Sequence, residues 1–144
     1  GNPASVSDDE VASWKSEGVV ECLGEQADVA TLYQCSHIVV LPSYREGLPK
    51  SLIEAAACGR AVVTTDVPGC RDAIEPGRTG VLVPAQDARA LARAVQELAD
   101  DAPLRHKLGA AGRELAEREF DVRLVVARHL EIYGELLADA SLER

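Results

Sequence analysis

Short apolar runs punctuate the first part of the chain, and helical periodicity takes over after about residue 83. The runs at 19–23, 37–41, 61–65 and 81–83 predict four strands. The second, His37-Ile38-Val39-Val40-Leu41, is apolar throughout rather than alternating, as expected of a parallel strand covered on both faces. Between these runs lie helical stretches. One covers 9–16, capped by Ser7 or Asp8 and carrying Trp14. Another covers 28–34, with Val29, Leu32 and Tyr33 on one side. A third covers 49–58, where Pro49 suits the first turn and Gly59 the left-handed C-cap. A single helical turn is expected at 71–74. Asp66-Val67-Pro68-Gly69 reads as a type II turn, and Glu75 to Gly80 as a second turn. The rest is helical: 88–99 after the cap Asp87, 104–119 opened by Pro103, and 122–138 after Asp121. Residues 1–7 read as a loop.

Strands alternating with helices, followed by helices alone, define an α/β fold: a Rossmann-like parallel sheet flanked by helices, with a helical C-terminal tail. In such sheets ligands gather at the loops that leave the carboxyl ends of the strands. The loop after 37–41 stands out. It runs Pro42-Ser43-Tyr44-Arg45-Glu46-Gly47-Leu48 and leads into Pro49-Lys50-Ser51-Leu52-Ile53-Glu54. Glu46 and Glu54 bracket the turn, with seven residues between them.

Composition narrows the chemistry. The net charge is −9, so a groove that tracks a nucleic-acid backbone is not expected. Aromatic residues are 3% of the chain, which leaves Val, Leu, Ile and Ala to build the core. Cys22, Cys35, Cys58 and Cys70 form no CxxC pair, against a zinc site and for reduced cytosolic thiols. No apolar stretch approaches the roughly 18 residues that span a bilayer, and no signal peptide opens the chain. A cytoplasmic location follows as an expectation, with peripheral membrane association open to the complete protein. The chain has no methionine and starts at Gly1, which suggests a piece of a larger protein.

The start of the 49–58 helix offers unbonded amides and the positive end of a dipole, an anion site. Pro49 has no N–H, so Lys50, Ser51 and Leu52 are the candidate donors. Glu54 lies one turn inside, and helical side chains lean toward the N-terminus, so its carboxylate can reach the mouth of the site. A bland alternative for Glu54 is an i,i+4 ion pair with Lys50. The alternative for Glu46 is an ordinary loop charge, and for Lys50 a solvated one. His37 reads as a core or edge residue rather than a catalyst. Ser43 lacks His and Asp partners for nucleophilic work, which leaves a turn or phosphate contact. Cys58 reads as a small packing residue. Asp8-Asp9 and Asp100-Asp101 read as caps or solvated charge, so no metal site and no cofactor are expected.

Pro42-Ser43, Glu46-Gly47-Leu48-Pro49, Glu54-Ala55, Cys58-Gly59 and Ala61-Val62-Val63 together resemble the nucleotide-binding half of GT-B glycosyltransferases, in the retaining glycosyl group 1 family. Val20 to Gly24, Thr79 to Pro84 and the helical tail are similar to it as well. The resemblance implies a donor site made of Glu46, Gly47, Leu48, Lys50, Ser51, Leu52 and Glu54. Glu54 would hold the ribose and Glu46 the donor sugar, at the catalytic position. It implies a nucleotide-diphosphate sugar as donor, a UDP-sugar by expectation. It also implies a glycan or lipid-linked acceptor bound by a separate N-terminal half, and a role in bacterial surface polysaccharide synthesis. The chain would then be one C-terminal domain, 1–144, without that half and without the first strands of its own sheet. Two rival functions fit the same architecture: a sugar-nucleotide epimerase, and an interaction module with no ligand.

Overall fold

The computed structural model describes residues 6–142, with side chains to 138. The Asn2-Pro3 stretch of the expected leading loop lies outside them. The elements run α1 (Asp8–Ser16), α2 (Val29–Cys35), β1 (Ile38–Leu41), α3 (Lys50–Ala57), β2 (Ala61–Thr65), α4 (Pro68–Ala73), β3 (Gly80–Val83), α5 (Ala88–Asp100), α6 (Ala102–Glu119) and α7 (Val122–Leu142).

The sheet is parallel, in the order β1-β2-β3. Ile38 pairs with Ala61 and Leu41 with Thr64; Val62 pairs with Gly80 and Thr65 with Val83. Alternation along each strand sends side chains into two cores. Val62, with Val39, Leu41 and Leu82 beside it, packs under Leu52 and Ala55 of α3 and Cys70 and Ala73 of α4. Ala61, Val63 and Val83 pack on the opposite face against Ala94 and Leu98 of α5 and Leu108 of α6. The central strand β2 is buried at every position, which is why its sequence shows no polar face.

Most helix starts are closed by their own caps. Ser7 and Glu10 form a capping box on α1, and Asp28, Asp87 and Asp101 accept amides of α2, α5 and α6. Gly59, at φ 68°, ends α3. Its N–H reaches the Ala56 carbonyl while that of Arg60 reaches Ala55, the paired bonds of a Schellman motif. α6 passes the amino ends of the strands and touches backbone there. A Cβ on Gly109 would stand 2.1 Å from the Gly59 carbonyl oxygen.

Three expectations change. The predicted strand at 19–23 is unpaired coil, with Val19 74% exposed. Val, Glu, Cys and Leu suit a strand, but a strand exists only where a neighbour takes its hydrogen bonds, and among the described residues none lies beside it. The sheet therefore has three strands here, and β1 is an edge. Val40 is correspondingly exposed, so β1 is not covered on both faces. Lastly, Pro68-Gly69 is not a type II turn: Pro68 opens α4, the helix position where its missing N–H costs nothing.

Candidate functional site

The loop between β1 and α3 leaves the carboxyl end of the sheet and is tied down from the neighbouring strand. The Ser43 amide donates to Leu41 O at 3.1 Å, turning the chain sharply. The buried Thr64 hydroxyl donates to the same carbonyl at 2.8 Å. The buried Thr65 hydroxyl donates to the Ser43 carbonyl. The Ser43 hydroxyl then donates to Glu46 Oε1 at 2.5 Å. Glu46 is half-buried and Gly47 is exposed.

α4 closes on this loop. A Cβ on Gly69 would lie 1.5 Å from the Gly47 carbonyl oxygen and 2.6 Å from that of Glu46. Only glycine lets the start of α4 sit against the loop backbone.

α3 and α4 differ from the other helix starts. Their N-caps are Pro49 and Val67, and neither supplies a side-chain acceptor. At α3 the Leu52 amide is already spent on the Pro49 carbonyl, at 3.2 Å, and the Leu52 side chain is fully buried. Leu52 is thus a core residue rather than a free amide donor: the first turn tightens and takes its N–H. The open amides are those of Lys50 and Ser51, and the Lys50 side chain is exposed beside them.

Glu54 is exposed and stands between two clefts. One, of about 550 Å³, is lined by Leu48, Lys50, Ile53, Glu54, Phe120 and Val125. The other, of about 410 Å³, is lined by Asp28, Tyr33, Glu54 and Cys58. Burial raises the Tyr33 phenol above its ordinary pKa, and the nearby Glu54 carboxylate adds to the rise. Among the described residues no ion pair joins Lys50 to Glu54, so the bland surface bridge does not form. The structure thus brings Leu48, Lys50 and Glu54 to one cleft and sets Glu46 and Gly47 on the loop against α4. A third cleft, of about 380 Å³, opens beyond Pro42, Tyr44 and Thr65 toward Gln86 and Asp87.

His37 precedes the edge strand and is exposed. Ser43 fills a turn role. Cys58 is half-buried against α2, its Sγ 4.0 Å from Ala30 O. Among the described residues no group of three or more His, Cys, Asp or Glu gathers as a metal site. Sequence reasoning passed over Tyr33, Thr65 and Gly69 as site residues. Two had a signal: Thr65 is a polar residue ending a buried strand, and Gly69 is a glycine just inside a proline-led helix.

An open parallel sheet with an uncapped helix start at its carboxyl end has the architecture in which α/β domains place their ligand sites. The profile described as Glycosyl transferases group 1 matches residues 2–101, and the chain belongs to that family. It is 34% identical over 122 residues to the N,N'-diacetylbacillosaminyl-diphospho-undecaprenol alpha-1,3-N-acetylgalactosaminyltransferase of Campylobacter jejuni, covering 85% of this chain and 32% of that protein. Its fold matches sucrose-phosphate synthase from Thermosynechococcus elongatus at TM-score 0.84 and 33% identity, over 90% of this chain and 33% of that one. It also matches Anabaena HepE, solved in complex with UDP-glucose, at TM-score 0.82 and 23% identity, over 88% of this chain and 35% of that one. The fold is therefore the Rossmann-like half of a GT-B glycosyltransferase. The chain spans about a third of the length of these relatives. Among the described residues no helix is long and apolar enough to cross a membrane.

Proposed function

We propose that this chain is the donor-binding part of a retaining glycosyltransferase that uses a UDP-sugar and glycosylates a glycan or lipid-linked acceptor. The observation that carries the reading is the uncapped start of α3, with Lys50 beside it and Glu54 on the same cleft. The Lys50 and Ser51 amides and the Lys50 ammonium meet the charge on the diphosphate as the sugar leaves. Glu54 accepts from the ribose hydroxyls, and Glu46, on the loop, from the donor sugar. In this reading the helix start and Lys50 do the work of a cation, and the site calls for no metal or cofactor. The acceptor is held by an N-terminal half outside this chain, and the complete protein works in the cytoplasm at the membrane surface. The Campylobacter relative's name, with its diphospho-undecaprenol acceptor, supports a lipid-linked acceptor and a role in surface polysaccharide assembly. HepE supports the donor class at the level of fold.

Calorimetric titration of UDP into the full-length protein and its Glu54→Gln variant tests the reading. A hydrogen bond to a charged group contributes about 1.5–3 kcal/mol, so affinity should fall about tenfold or more. Equal affinities in a folded variant would remove Glu54 from the site.

A further inference from the structure

Glu46 does not hang from its loop alone. Thr65 closes β2, is 4% exposed, and donates its hydroxyl proton to the Ser43 carbonyl. Ser43 in turn donates its hydroxyl proton to Glu46 Oε1 at 2.5 Å. Each hydroxyl has one proton, so both are committed along this line. Among the described residues nothing else hydrogen-bonds or ion-pairs with the Glu46 side chain, which leaves Oε2 without a protein partner. A serine–glutamate contact three residues apart is by itself only a turn. Here the serine is anchored by a buried threonine of the central strand. The direction of the carboxylate is thereby referred to the sheet, whose central strand is buried at every position.

We propose that Ser43 and Thr65 are positioning residues, which hold one oxygen of Glu46 and present the other to the donor sugar. The proposal rests on the donor-binding reading above and adds two residues to it. A ligand group held within a fraction of an ångström binds and reacts far better than one on a free loop. The relay acts on the sugar and not on the nucleotide, because the nucleotide is held by α3 and Glu54.

The test uses the full-length protein, with UDP, UDP-glucose and UDP-N-acetylglucosamine as probes. Ser43→Ala and Thr65→Val are compared with the conservative Ser43→Thr and Thr65→Ser. For the two disruptive variants the affinity for UDP should stay within about twofold. The ratio of UDP-sugar to UDP affinity should fall about tenfold, with turnover falling at least as much. The conservative variants keep a hydroxyl and should restore both. If the buried Thr65→Val fails to fold, Ser43→Ala, whose hydroxyl lies in the loop, still decides. An unchanged ratio and unchanged turnover in a folded Ser43→Ala protein would overturn the relay while leaving donor binding intact. Equal weakening of UDP and UDP-sugars would overturn it too, as general damage to the loop. A wild-type protein that binds none of the three probes would instead overturn the donor-binding reading, and the relay with it.

Discussion

Gly69 marks a position where the site cannot accept a side chain. The atoms a Cβ would strike are backbone atoms of Glu46 and Gly47, which no rotamer change can move aside. Gly69→Ala must therefore push α4 and the loop apart. Overpacking of this kind costs about 1–3 kcal/mol, read as a lower urea midpoint. The same displacement moves Glu46, so affinity for UDP-sugars should drop more than affinity for UDP. An alanine variant with the wild-type midpoint and wild-type donor affinity would show that the loop gives way freely. The roles of Thr64 and Thr65 have the same origin. Their spacing is legible in the sequence, but which carbonyls they reach depends on β1 lying beside β2 in one register.

At the scale of elements, α6 separates two glycines that look alike in the sequence. Gly109 meets the Gly59 carbonyl, whereas a Cβ on Gly112 would find its nearest atom at 3.5 Å, ordinary contact. Gly109→Ala should destabilise by about 1–3 kcal/mol. Gly112→Ala should be neutral or stabilising by up to about 1 kcal/mol through helix propensity. Chemical denaturation of the pair checks this contrast, and similar midpoints would contradict the packing. The start of α7 carries a pH dependence. Hydrogen bonds from the Arg123 side chain, then from its amide, lower the Asp121 carboxyl from 3.8 to about 2. A depressed carboxyl stabilises fully above its ordinary value and loses that contribution as pH falls through the folded one. The first turn of α7 should thus hold until the pH drops below 3.8 and fray as it approaches about 2. The Arg123 amide shift followed by NMR reports this, and Asp121→Asn should abolish the titration.

For the whole molecule, α7 is a long helix whose described side chains stay exposed. Every described side chain from 122 to 138 is exposed, with Leu130 at 66% and Leu137 at 73%. That apolar helix is legible as a helix from its period, but the exposure of its apolar side chains is visible only in the fold. The donor-binding reading predicts that the 144-residue chain by itself gives no sugar transfer, whereas the full-length protein does. A radiolabelled-donor assay on both compares them directly, and turnover by the short chain would contradict the assignment of the acceptor to another part of the protein.

Three of the predicted strands were determined by sequence alone, because an apolar run bounded by glycine or turn residues has few other places to go. The same holds for the helices with acidic caps, and the resemblance carried by Pro42-Ser43, Glu46 to Pro49, Glu54-Ala55, Cys58-Gly59 and Ala61 to Val63 pointed to the family that the profile match shows. What the tertiary structure decided is everything that needs a neighbour. Residues 19–23 have a strand's composition and no partner, so they stay coil. Pro68-Gly69 reads as a turn in isolation and becomes a helix start because Gly69 can lie on the Gly47 carbonyl. Leu52 sits at the mouth of an anion site in sequence, yet the first turn consumes its amide and the core its side chain. Local pattern encodes a residue's own preferences; hydrogen bonding and close packing are satisfied only between segments, and segments meet only in the fold.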